Sequence, residues 1–262
     1  MRARSLVVGL LAGAACAIAT AMAPVAAADG PTGGTGVTPY IVGGEPADQE
    51  YPFMVSLQEG GSHFCGGSLI KPDWVLTAAH CVEGTDPSSI GVRVGSNDNS
   101  QGGEEAGAAE VKVHPDYDGS SPGGDIALVK LDSAVQAAPI ELGTSAEPGT
   151  ASRLLGWGQT CPEQGCPDPP PNELQQLDTE VVPADQCTGM DANTELCTGN
   201  PGGNSGACYG DSGGPQIVQA GGGWRLIGVT SRTGNNDPTC ATGPSIYTSA
   251  VAYTDWINQN AA

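Results

Sequence analysis

Ser212 sits in the stretch GACYGDSGGP, residues 206–215, with glycines around it and Asp211 directly before it. A serine hydroxyl is a poor nucleophile at neutral pH unless a base within hydrogen-bond reach takes its proton. Three histidines could supply that base, His63, His80 and His114, and all of them precede Ser212. This order excludes one architecture immediately. Gly210 to Gly214 satisfies G-x-S-x-G, the nucleophile elbow of α/β hydrolases, but in that arrangement the histidine follows the serine.

The opposite order, histidine then acid then serine, can be filled. His80 ends the apolar stretch WVLTAAH, and Asp125 opens another, DIALVKL. A carboxylate at a strand edge is partly buried, where it is costly if unpaired and where an imidazole N–H offsets the cost. The three residue types form a nucleophile, a base and an acid that orients the base.

Elements must carry these groups together. From Ile41 onward the chain is a series of short apolar runs separated by Gly, Pro, Asn and Asp: FMVSLQ, FCGGSLI, WVLTAAH, IGVRVG, EVKVH, IALVKL, SRLLGWG, LQQLDTEVV, PQIVQ, WRLIGVTS and SIYTSA. Runs of this length and spacing predict an all-β sandwich or barrel. Only the tail AVAYTDWINQN reads as a helix. The 222 residues from Ile41 to Ala262 suffice for one or two cores, with a seam in the Ala-, Pro- and Gly-rich stretch from Ala137 to Thr150.

What precedes Ile41 has a different character. Arg2 and Arg4 lead into an Ala-rich apolar run that ends in small residues, the pattern of a secretory leader cleaved near Ala28. Residues 29–40 are turn formers without apolar periodicity and read as a short pro-segment. Loss of residues 1–28 removes Cys16 and leaves eight cysteines, an even number that favours disulfides in an exported chain. Cys161 and Cys166 alone do not make a zinc site, since no second close pair or histidine cluster accompanies them. Of 29 acidic and 9 basic residues, one acidic and two basic precede Ile41, so residues 41–262 carry 28 against 7, or −21. Such a field disfavours nucleic acid and anionic membranes as partners.

TAAHC, DIAL and GDSGGP, in that order, with IVGG at Ile41 and GWG at Gly156, resemble the trypsin/chymotrypsin family of serine proteases over nearly the whole chain after the pro-segment. The resemblance implies an all-β fold of two packed six-stranded antiparallel barrels with a short C-terminal helix, an N-terminal barrel over about 41–138 and a C-terminal barrel over about 139–262. It implies a secreted endopeptidase in which Ser212 attacks the scissile carbonyl, His80 shuttles the proton and Asp125 fixes the imidazole tautomer. The backbone N–H groups of Gly210 and Ser212 would form the oxyanion hole. Cleavage before Ile41 would free an ammonium that pairs with Asp211 and shapes that loop, and Tyr40 before the cut points to an activating protease that is not trypsin-like. His114 is expected to be structural, as is His63, for which the resemblance also allows a pairing with Asp211 in the resting state.

The same resemblance pairs Cys65 with Cys81, Cys187 with Cys197 and Cys208 with Cys240, leaving Cys161 and Cys166 for each other. It places the specificity pocket at Gly206 and Ala207 on the floor, with Ser231, Arg232 and Thr233 on one wall and Ser245 on the other. With no acid at 206, basic side chains should not be preferred; the slot narrowed by Thr233 and Ser245 favours small or medium apolar ones, against the large aromatic ones that Gly206 and Ala207 would admit by deepening the floor. The loop GSNDNSQGGEE, where related proteins often hold calcium, starts with Ser96 instead of a carboxylate, so neither metal nor cofactor is expected. The expected partners are polypeptide substrates and an activating protease, with no membrane after leader removal and a monomeric state. The rival functions are a noncatalytic binding protein of the same family and an esterase using the same three residues. The composition suggests a high-GC bacterial source.

Overall fold

The computed structural model describes residues 41–119 and 122–262; the leader and pro-segment readings therefore lie outside the described residues. After a two-residue strand, β1 (Glu45–Pro46), the chain forms β2 (Met54–Glu59), β3 (Ser62–Lys71), β4 (Trp74–Thr77), a one-turn helix α1 (Ala79–Val82), β5 (Ile90–Val94), β6 (Glu104–Val113) and β7 (Ala127–Leu131). Strands β2 to β7 close into a barrel in the order β2-β3-β4-β7-β6-β5, every pair antiparallel. In β5, Ile90, Val92 and Val94 are buried while Gly91 and Arg93 between them are not, the period-2 alternation of a strand with one apolar face. Strand β2 is buried at five consecutive residues, Met54 to Gln58, so both of its faces are covered.

The second half contains β8 (Glu141–Leu142), β9 (Ala151–Gly156), β10 (Gln175–Val182), β11 (Glu195–Thr198), β12 (Pro215–Ala220), β13 (Gly223–Thr233), β14 (Ser245–Ser249) and helix α2 (Thr254–Asn260). Six of its strands run β9-β10-β11-β14-β13-β12, and β12 returns to β9 to close the second barrel. Two short strands dock outside it: β1 on β10, and β8 on β13 as a parallel pair. The hairpins β2–β3 and β12–β13 turn at Gly60-Gly61 and Gly221-Gly222, all four at positive φ, as a two-residue turn matched to strand twist requires.

Each of the eleven apolar runs contributes a strand, but the twelfth barrel strand, β11, was not among them. Its four residues, Glu-Leu-Cys-Thr, are all buried and include a charged one, so neither alternation nor an apolar run marks it. Two local readings also need correction. His80 lies in the single turn α1 that follows β4, not in the strand, and the C-terminal helix starts at Thr254 because residues 250–253 form turns.

The largest core cluster runs from Val55, Leu57 and Leu128 of the first barrel to Leu155, Ile217 and Val229 of the second. A smaller cluster collects Ile41, Leu154, Leu177, Val218, Ile227 and Tyr247. Each fully buried Leu, Ile or Val in these clusters contributes about 1.5–3 kcal/mol. Helix α2 is held to the first barrel at its C-terminal end, where Lys71 and Lys112 donate to the carbonyls of Ala261 and Asn260. Among the described residues no helix is long and apolar enough to cross a membrane.

Candidate active site

Asp125 enters the site just ahead of β7, buried. Its Oδ2 accepts a hydrogen bond from His80 Nδ1 at 2.8 Å and one from the Ser231 hydroxyl at 2.6 Å. Its Oδ1 accepts the backbone N–H of His80 at 2.9 Å. Burial by itself would raise the pKa of this carboxyl, but the bonds and charge from His80 and the bond from Ser231 outweigh it and hold the group below the ordinary carboxylate range. The backbone carbonyl of Asp125 is gripped by Thr248 Oγ1 of β14 at 2.9 Å. The acid thus belongs to the first barrel by sequence and is fastened by Ser231 and Thr248 from the second.

His80 donates from Nδ1 to a carboxylate, which leaves Nε2 as the acceptor nitrogen, the tautomer a base needs. About a third of its side chain is exposed. Ser212 is half-buried, and its carbonyl accepts the amide of Gly66 in β3 at 2.7 Å. The neighbour of Gly66, Cys65, is disulfide-bonded to Cys81, the neighbour of His80. Serine and histidine are therefore tied to one another through two short covalent and hydrogen-bonded steps. No direct hydrogen bond joins His80 to Ser212, and pairs of this kind shorten when a substrate binds.

The loop before Ser212 is shaped from beneath. Gly210 has φ +97°, a conformation closed to side-chain-bearing residues, and its carbonyl accepts His63 Nε2 at 3.0 Å. His63 Nδ1 pairs with Ser56 Oγ at 2.8 Å, and its ring packs edge-on against Trp157. Burial lowers the pKa of His63, so the ring is the neutral form that donates from Nε2. The resting-state pairing of His63 with Asp211 is not what the structure shows. Asp211 instead accepts the amides of Gly158 and Cys208, each at 2.8 Å. No cationic side chain pairs with it among the described residues, and burial pushes its pKa up to about 7. A methyl group at Gly156 or Gly158 would overlap the Asp211 carboxylate, which gives the GWG sequence its physical reason.

Ile41, buried in the core of the second half, leads into Val42, which bridges to Gly206 with the Gly206 amide donating to the Val42 carbonyl at 2.9 Å. A cavity of about 260 Å³ opens beside Ser212, lined by Ala207, Cys208, Tyr209, Thr230 to Thr233, Pro238, Cys240 and Ser245. Gly206, expected on its floor, is not among the lining residues; a Cβ there would lie 3.5 Å from the hydroxyl oxygen of Ser245, which does line the cavity. Arg232 lines the cavity, but its guanidinium turns to Glu195, with Nη1 at 2.6 Å from Oε1. Sequence reasoning missed Tyr209, whose hydroxyl donates across the rim to the Pro238 carbonyl at 2.7 Å, and it missed the bond from Ser231 to Asp125. Tyr209 stands next to Gly210, and that adjacency was the available signal.

The disulfides join Cys65 to Cys81, Cys161 to Cys166, Cys187 to Cys197 and Cys208 to Cys240, the last binding the loop before Ser212 to the cavity wall. Cys65, His80 and Cys81 are the one set of close potential metal ligands among the described residues, and their sulfurs are joined to each other. In the 95–105 loop Asp98 is bonded to Ser100 and Gln101, Glu104 to the amides of Gln136 and Ala137, and Glu105 to Arg93.

A family model described as Trypsin matches residues 41–257. A protein named "Trypsin" from Saccharopolyspora erythraea is 39% identical over 202 residues, covering 73% of this chain and 86% of the relative.

Proposed function

Because this chain belongs to the trypsin family of serine proteases, we propose that it is a secreted endopeptidase, made as an inactive precursor and selective for small or medium apolar side chains before the scissile bond. The observation that carries the catalytic assignment is the fastening of Asp125 to His80 by two hydrogen bonds, which leaves Nε2 of the imidazole as the acceptor nitrogen. In the first step Ser212 Oγ bonds to the substrate carbonyl carbon as its proton passes to His80 Nε2. The carbonyl oxygen, now an oxyanion, is met by the amides of Gly210 and Ser212. Collapse of this intermediate breaks the C–N bond, His80 returns the proton to the leaving amine, and an acyl-enzyme remains for water to hydrolyse by the same path. Asp125 stays ionised throughout and stabilises the imidazolium.

The precursor comprises a leader over residues 1–28, a pro-segment over 29–40 and the protease domain over 41–262. Cleavage between Tyr40 and Ile41 supplies an ammonium to Asp211, whose buried carboxyl accepts two amides and, among the described residues, no cationic group. Pairing returns the charge that burial suppresses. The selectivity follows from the cavity. Among the described residues no acidic side chain lines it, so a Lys or Arg side chain would be buried there without a counter-ion, while Thr233 and Ser245 narrow it against large rings. No cofactor is needed for this chemistry.

A peptide-library cleavage profile of the processed protein, run beside organophosphate labelling of Ser212, tests the reading. Labelling at Ser212 with cleavage after Ala, Val or Leu is expected. Absence of labelling would make this a binding protein, ester turnover without peptide turnover an esterase, and dominant cleavage after Arg or Lys would overturn the pocket assignment.

A further inference from the structure

Glu195 is a charged residue in the buried strand β11, its side chain fully enclosed. Four hydrogen bonds saturate its carboxylate. Oε1 accepts Arg232 Nη1 at 2.6 Å and the amide of Gly123 at 2.9 Å. Oε2 accepts Arg232 Nη2 at 3.0 Å and the amide of Asp191 at 2.8 Å. Arg232 Nη2 also donates to the Gly189 carbonyl at 3.0 Å. One carboxylate thus joins three separate segments: the approach to Asp125, the loop closed by Cys187–Cys197, and the end of β13.

The end of β13 is an open sheet edge. Strand β12 pairs with β13 only as far as Val229, and Gly213 and Gly214 extend the bonding to Thr230. Beyond that point Arg232 and Thr233 pair with β14 on one side, and among the described residues no strand pairs with them on the other, beside Ser212 and its cavity. An extended peptide entering the site has this edge to pair with, strand to strand. A register shift falls between Thr230 and Arg232, and the Arg232 side chain that follows it is held by Glu195 and the Gly189 carbonyl.

We infer that Glu195 is a positioning residue for extended substrates: by clamping Arg232 in a bidentate pair it sets the open edge at 231–233 and the two flanking loops, and so forms the subsites for residues two to four before the scissile bond. Arg232, about a third exposed and already neutralised by Glu195, offers those residues a flat guanidinium face and no net charge. The substrates it fits are peptides with at least three extended residues before the cut. The inference rests on the peptidase reading above.

The test uses the processed enzyme and compares kcat/KM for a single-residue ester with that for a tetrapeptide amide of the same final residue. In the wild type the tetrapeptide gains from its extra residues. Glu195→Gln should lose more on the tetrapeptide than on the ester, by on the order of tenfold, with the pH profile of the ester reaction unmoved. A buried carboxamide against Arg232 risks misfolding, so the double variant Glu195→Gln with Arg232→Met, which removes both charges, is measured too. It should show the same selective loss while its Ser212 still takes an organophosphate stoichiometrically. Equal losses on both substrates, or retention of the tetrapeptide gain in the double variant, would overturn the inference. A wild type that turns over neither substrate would instead sink the peptidase reading.

Discussion

Replacing Asp211 by Asn in the uncut chain should change how stability depends on pH, because this carboxyl is buried on two amides and has no cationic partner among the described residues. Its pKa rises from the ordinary 3.8 to about 7, with desolvation as the cause. Between those pH values the folded chain keeps a proton that the unfolded chain has released, so raising the pH removes it at the expense of the folded state. Stability of the uncut wild type therefore falls as pH rises from about 4 to about 7, relative to a chain lacking the group. At about 1.4 kcal/mol per pKa unit, the full effect is roughly 4 kcal/mol. Carboxyls held low, such as Asp125, act in the opposite sense, adding stability above the unfolded pKa that is lost on acidification, and they cancel in the comparison with the variant. The assay is urea unfolding at a series of pH values in a Ser212→Ala background, which prevents self-digestion. Wild-type stability minus that of Asp211→Asn should fall by several kcal/mol across this range in the uncut chain, and should stay flat once the chain is cut before Ile41 and the new ammonium holds the carboxylate ionised. Parallel curves for the two uncut proteins would refute the reasoning, and an unchanged slope after cutting would refute the pairing with Ile41.

Ser231→Ala removes one of three hydrogen bonds to the Asp125 carboxylate and should lower kcat by about tenfold while the far-UV spectrum is unchanged; an unaltered kcat would show that this bond is idle. Gly158→Ala sets a methyl group against Asp211, so it should be secreted with its disulfides intact yet fail to react with an organophosphate, and normal labelling would contradict the packing described above. Removing the bridge between Cys65 and Cys81, 16 residues apart, should destabilise the chain by about 3 kcal/mol in denaturant titrations. Ser245→Gly removes one wall of the cavity and should shift the cleavage profile toward aromatic side chains, and a profile that does not move would place the constriction elsewhere.

The sequence by itself determined the order His80, Asp125, Ser212, the strand nature of eleven segments, and the glycines that the loops around the nucleophile need. These are properties of residue type and short-range period, which pattern alone transmits. It did not disclose β11, whose four buried residues carry no apolar rhythm, nor the helical turn that carries His80. Only the tertiary structure decided that Ser231 hydrogen-bonds Asp125 across 106 positions of chain, that Asp211 rests on an amide 53 positions away, and that Glu195 reaches Gly123 over 72. The physical reason is burial. A polar group taken out of water must find partners, and those partners are set by which strands close each barrel, a choice made by the whole core and not by neighbours along the chain.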